Sequence, residues 1–262
     1  MDLKLQGKHV LITGGSKGIG LACAQAFLAE GARVSINSRD EANLKNATAK
    51  LAAPVGHLAC HRGDLCQADQ ALAMLDAAEK QFGPVDILVT SAGAAKRTPP
   101  DDLTPAAWRD AMDAKYFSYI NIIDPVVKRM GARKQGNIVN IIGAGGKVAS
   151  PIHLPGGAAN AALMLATAGL ANAYGGKGVR VNAVNPGATL TDRLVEGFAA
   201  EQRLAGINAD EAMKRATSKT ALGRLAKPEE IANMVLFLAS EQASYVSGVI
   251  IGMDGVGVPM VV

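Results

Sequence analysis

"HVLITGGSKGIG", residues 9–20, is the stretch whose reading decides the fold. A short apolar run ends in glycines, and a helical pattern follows at once. A strand without polar alternation is buried on both faces, as in a parallel sheet. Gly14, Gly18 and Gly20 permit a tight turn and close approach of backbone to a ligand. A helix beginning near Gly18 offers free N–H groups and a positive dipole end, which suit a pyrophosphate. Ile19, Cys23, Ala26 and Phe27 then share one face, ready to pack on the sheet. Because the glycines join a first strand to a first helix, the turn, including Ser16 and Lys17, reads as a dinucleotide site.

The pattern repeats outward from this unit. Residues 33–39, 85–93, 136–143, 179–187 and 247–255 are further buried strands ending in glycine or a small polar residue. Helical patterns lie between them, at 18–30, 67–82, 105–131, 157–174 and 228–240. Such alternation predicts a doubly wound α/β sheet of the Rossmann type. No linker or repeat divides residues 1–262, so a single dinucleotide-binding domain is expected. Residues 190–222, polar and helix-like without a strand, are expected to form a flap over the site.

Composition narrows the class. Of 262 residues 49% are apolar, enough for a sizeable core, and no run of 18 apolar residues suggests a membrane span. The start lacks a signal-peptide pattern, and a cytoplasmic protein is expected. Cys23, Cys60 and Cys66 are odd in number and have no CxxC spacing, so reduced thiols are expected, with no disulfide frame or metal site. The net charge of +4 is spread along the chain, which argues against nucleic-acid binding.

With these motifs in order, the chain resembles the short-chain dehydrogenase/reductase family from about residue 6 to 257. Gly14 and Gly18 enclose three residues, as in the family's glycine motif. "GDL" (63–65) is similar to its adenine-contacting turn, through Asp64 and Leu65. "TSAG" (90–93), with Ser91, Ala92 and Gly93, stands where the family has Asn-Asn-Ala-Gly. "VRVNAVNPG" (179–187) precedes the nicotinamide contact, which implies roles for Pro186, Gly187, Thr189 and Thr191. Residues 223–248 and "MDG" (253–255) are similar to its C-terminal signature. NAD enzymes need an acid at the end of the second strand for the ribose 2′-OH. Ser38 occupies that position here, Arg39 follows, and Lys17 adds a cation. An arginine can grip a 2′-phosphate through two charge-assisted bonds, so NADP is the expected cofactor. The competing reading makes Asp40 the ribose acceptor, two residues late.

The resemblance also implies a catalytic Asn-Ser-Tyr-Lys set, and this chain departs from it. Alignment on the flanking motifs puts Lys115, Gly143, Gly156 and Asn160 at those four positions. "HLPGGAANAALM" (153–164) thus opens a helix with glycines where a phenol would stand. The loss of two side chains from one wall predicts a larger cavity. Lys115, reaching from the neighbouring helix towards the vacated lysine site, is the first candidate acid/base. His153, three residues before Gly156 on the pocket rim, is the second.

The helix at 157–174 is apolar nearly all round, so burial on all sides is expected. The family pairs it, with the helix at 105–131, against a second subunit, which implies a homodimer or homotetramer. The functional reading is an NADP-dependent oxidoreductase with a non-standard active site, acting on a small-molecule carbonyl or alcohol. The alternative is an NADP-binding homologue with lyase, isomerase or hydrolase activity, or with no catalysis.

Overall fold

The computed structural model describes residues 1–93, 97–192, 194 and 206–259. Its sheet is parallel throughout, in the order β3-β2-β1-β4-β5-β6-β7. The strands are β1 (His9–Thr13), β2 (Arg33–Ser38), β3 (Leu58–Arg62), β4 (Ile87–Thr90), β5 (Gly136–Ile141), β6 (Val179–Pro186) and β7 (Ile250–Met253). The helices are α1 (Gly18–Ala29), α2 (Glu41–Leu51), α3 (Ala68–Phe82), α4 (Pro105–Met112), α5 (Ser118–Ala132), α6 (Leu154–Gly175), α7 (Ala209–Ser218) and α8 (Pro228–Ala239). The strand order reverses between β1 and β4. Connections there leave in opposite directions and open a crevice at the carboxyl ends of the strands, the usual ligand position in such sheets.

The two-faced burial read from residues 9–13 holds. Val10 and Ile12 join a core made with α1, α2 and α8, while Leu11 joins the core of α3, α5 and α6. Period-two alternation thus feeds both layers from one fully apolar strand. Cys23 and Phe27 of α1 are fully buried, with Ile19 and Ala26 partly covered. Polar groups tie the layers together. Thr90 Oγ1 donates to Asn140 Oδ1 at 2.7 Å, and Asn140 Nδ2 donates to Thr167 Oγ1 of α6 at 2.9 Å.

Several elements differ from expectation. β3 and α2 are additional. α2 is fixed by Asp40, whose carboxylate accepts from Asn43 N at 3.1 Å, and by the buried stripe Leu44, Ala47, Leu51. The helix expected over 105–131 is broken: a π-helical turn at Asp113–Phe117 separates α4 from α5. Of the expected flap, residues 193 and 195–205 lie outside the described residues; α7 accounts for 209–218.

α6 divides into two faces. Asn160, Leu163, Met164, Thr167 and Ala171 face inward, but Ala158, Ala161, Leu165, Gly169 and Asn172 form an exposed stripe in the single chain. By length and composition alone, Pro151–Gly175 qualifies as a membrane span, with hydropathy 1.3 over 18 residues. Its inner side instead packs against β6 and the β5 loop.

Candidate functional site

The candidate site is built at the carboxyl ends of β1, β4, β5 and β6. In its first half, Gly14 and Gly18 adopt φ of +63° and +51°, which favour glycine. A Cβ on Gly14 would lie 2.8 Å from Ala92 Cα, and one on Gly20 would run into the Gly14 carbonyl. A Cβ on Gly18 would meet Thr191 Cγ2 at 3.2 Å. The glycine turn, Ser91–Gly93 and the loop after β6 therefore converge. Thr13 Oγ1 fastens them, accepting from Ser91 N at 3.1 Å and Ala92 N at 3.3 Å. No side chain caps α1 and no acid occupies its first turn, so its N–H end keeps the surroundings an anion needs. Lys17 is exposed beside it, and Ser16 is buried.

Other expected residues line the same crevice edge. Thr189 Oγ1 donates to Gly187 O at 3.2 Å, just beyond Pro186, and a Cβ on Gly187 would lie 2.9 Å from Asp254 Cα. Asp64 Oδ1 accepts from Cys66 N at 3.1 Å, and the buried Leu65 accepts from Asn121 Nδ2 at 2.9 Å through its carbonyl. At the tip of β2, Ser38 Oγ accepts from Asp40 N at 3.3 Å while Arg39 stays exposed. Arg62, which the sequence reading missed, pairs in register with Ser38, and its Nε donates to Arg39 O at 3.2 Å. A cation at the end of a strand adjoining β2 was the available signal; β3 itself had to be recognised first. The described thiols are unpaired: Cys23 is buried, its pKa pushed up to about 12 by desolvation, and Cys60 is exposed.

The second half lies beyond β5. The π turn brings Lys115 and Tyr119 inward together. Lys115 Nζ donates to Tyr119 Oη at 2.8 Å and to Ile141 O at 3.3 Å, and Tyr119 Oη donates to Ile141 O at 2.6 Å. Lys115 is only 8% exposed, and a cation buried to that degree needs partners such as Tyr119 of α5 and the Ile141 carbonyl at the tip of β5. Tyr116, one residue on, packs edge-on against Phe117 instead.

Gly143 and Gly156 are not openings, which corrects the expected cavity. Gly143 has φ +134°, its N donates to Asn185 Oδ1 at 3.2 Å, and a Cβ there would lie 3.3 Å from Asn160 Nδ2. A Cβ on Gly156 would overlap the His153 ring, 2.5 Å from Nε2 and 2.8 Å from Nδ1. Gly157 is pressed on Gly145 O at 2.8 Å, and Gly146 on Ala161 N at 2.8 Å, again measured from an added Cβ. The helix thus begins with glycines because the 143–146 loop lies directly on its backbone, and His153 is half-buried with its ring packed on Gly156. Asn160 is 5% exposed, and its Oδ1 has no hydrogen-bond partner among the described residues.

The family model for enoyl-(acyl carrier protein) reductase matches residues 14–257. The 2-(S)-hydroxypropyl-CoM dehydrogenase 3 of Xanthobacter autotrophicus is 32% identical, covering 97% of this chain and 98% of its own. The 3-oxoacyl-[acyl-carrier-protein] reductase of Thermotoga maritima is 30% identical over 97% and 98% of the two chains. A crystal structure of an actinorhodin polyketide ketoreductase variant with NADPH superposes with a TM-score of 0.90 at 27% identity, covering 95% of this chain and 96% of that one.

Proposed function

Because the chain belongs to the short-chain dehydrogenase/reductase family, whose members use nicotinamide cofactors, we propose that it is an NADP-dependent oxidoreductase with a rebuilt active site. The cofactor reading rests on the tip of β2. An acid that accepts from the ribose 2′-OH marks NAD use. Here the position holds Ser38, and the nearest carboxylate, Asp40, is engaged as the cap of α2. Arg39, directly after Ser38, and Lys17, directly before Gly18, are both exposed, as binding of the two extra charges of a 2′-phosphate requires. The pyrophosphate would lie on the N–H end of α1 over Gly14 to Gly20. Asp64 and Leu65 would border adenine; Ser91 to Gly93, Pro186, Gly187, Thr189 and Thr191 would border the nicotinamide half.

In this reading Lys115, Gly143, Gly156 and Asn160 stand where relatives carry asparagine, serine, tyrosine and lysine. Lys115 and His153 are the candidate acid/base groups. The dehydrogenases and reductases among the relatives favour redox chemistry over a lyase, isomerase, hydrolase or non-catalytic role. The substrate is a small-molecule carbonyl or alcohol, and the exposed stripe of α6 supports a homodimer or homotetramer. Calorimetric titration of both cofactors tests the reading. Tighter binding of NADPH than NADH is expected; equal or tighter NADH binding overturns it.

A further inference from the structure

We propose that His153 is the proton donor to the substrate oxygen, and that Gly145 and Gly156 are glycines because they form the slot that seats its imidazole. The inference rests on the reductase reading. A carbonyl reduced at this wall needs an acid for its oxygen; glycine has no side chain, and the amide of Asn160 is not a practical acid. Three contacts carry it. The imidazole fills the volume a side chain at 156 would take, with Nε2 and Nδ1 at 2.5 Å and 2.8 Å from an added Cβ. The ring's other edge faces Gly145, where Cδ2 and Nε2 lie 3.3 Å and 3.8 Å from an added Cβ. Asn160 Nδ2 lies 3.6 Å from that same point, so an amide donor and the imidazole flank one side of Gly145. The buried Oδ1 of Asn160 has no partner among the described residues, as expected of a wall that a hydroxyl-bearing ligand completes.

Lys115, the other candidate, is turned to Tyr119 and Ile141 and holds the tip of β5. It is a positioning residue in this account. With a nicotinamide cofactor bound, the hydride it supplies would go to the substrate carbonyl carbon, and the C=O π pair would move to oxygen. That oxygen takes the proton from the His153 imidazolium. The neutral imidazole is then reprotonated from water.

The test has a stability arm and a kinetic arm. Thermal unfolding is compared for wild type, Gly156→Ala, His153→Ala and the double variant. Alanine is the better helix former, so Gly156→Ala should raise the midpoint where nothing obstructs it. The slot predicts the reverse with His153 present and a rise only in the His153→Ala background. An equal rise in both backgrounds overturns the slot. For the role, NADPH oxidation is followed with an acetoacetyl thioester and a 2-oxopropyl thioether across pH. The wild-type rate should fall as pH rises and the imidazolium deprotonates. A folded His153→Gln variant should lose roughly 100-fold in kcat and that pH dependence. A variant keeping both rate and profile overturns the donor role while leaving the reductase reading intact. A wild-type chain that binds NADPH but consumes it with neither carbonyl overturns the reductase reading, and the donor role with it.

Discussion

At the scale of single residues, the chemistry turns on what fills a glycine's empty side. Gly156 stands against an imidazole and Gly143 against an amide, so neither can be read as a hole. This changes what restoration should do. Gly156→Tyr alone would drive its Cβ into His153 and should yield a destabilised protein without new activity. Gly156→Tyr and Asn160→Lys combined with His153→Ala should fold and gain reduction of simple ketones, measured as NADPH consumption, whereas adding Gly143→Ser puts a side chain on backbone at φ +134° and should cost stability. Arg39 supports a second expectation. Charge-assisted hydrogen bonds contribute about 1.5–3 kcal/mol, so Arg39→Ala should weaken NADPH roughly 10- to 100-fold. Its effect on NADH should be small, and competitive titration of the two cofactors reads the difference. The glycine turn and the missing acid at position 38 were legible in the sequence because each is local. The His153–Gly156 contact was not: spacing shows two residues three apart but not that the ring folds back over the glycine.

At the scale of elements, legibility followed burial. β1, β5 and β6 are covered on both faces and announce themselves as apolar runs. β3 lies at the sheet edge with Cys60 and Arg62 exposed, so its five residues carry no such run. α2 is hidden by its polar surface, although Asp40 before Glu41 is an N-cap signal. The π turn at 113–117 has no glycine or proline to mark it; it makes Lys115 and Tyr119 inward neighbours within a stretch that reads as one long helix. The join of β1 to α1 is the element on which cofactor binding depends. Gly20→Ala would push the helix start off the Gly14 carbonyl, and NADPH affinity should drop by about tenfold or more, a change near 1.4 kcal/mol, in a fluorescence titration. The fold should survive, because the cores on both sheet faces are untouched.

At the scale of the whole molecule, stability and assembly follow from what is buried and what is not. His9 is fully buried on β1, with Nδ1 2.7 Å from Gly83 O and Nε2 2.9 Å from Ser35 Oγ. Burial holds its pKa below the ordinary imidazole value, and burial does the same to His61. The unfolded chain therefore binds these protons more readily. Stability is full above about pH 6.5 and declines as pH falls below it, so melting temperatures should drop between about pH 6.5 and 5. His9→Asn should flatten that slope. Leu165 is 77% exposed on the outward stripe of α6, and Trp108 at 39% and Phe117 at 43% are exposed on α4 and the π turn, elements that pack against α6. Large apolar side chains exposed on elements that pack together point to an interface. Leu165→Glu should convert a dimer or tetramer to a monomer in light scattering, without loss of NADPH binding. The most direct measurement of the central claim is NADPH oxidation in the presence of an acetoacetyl thioester, run in parallel with NADH. The account predicts consumption that is faster with NADPH than with NADH; consumption that is equal or faster with NADH, or none with either cofactor while both bind, would contradict it.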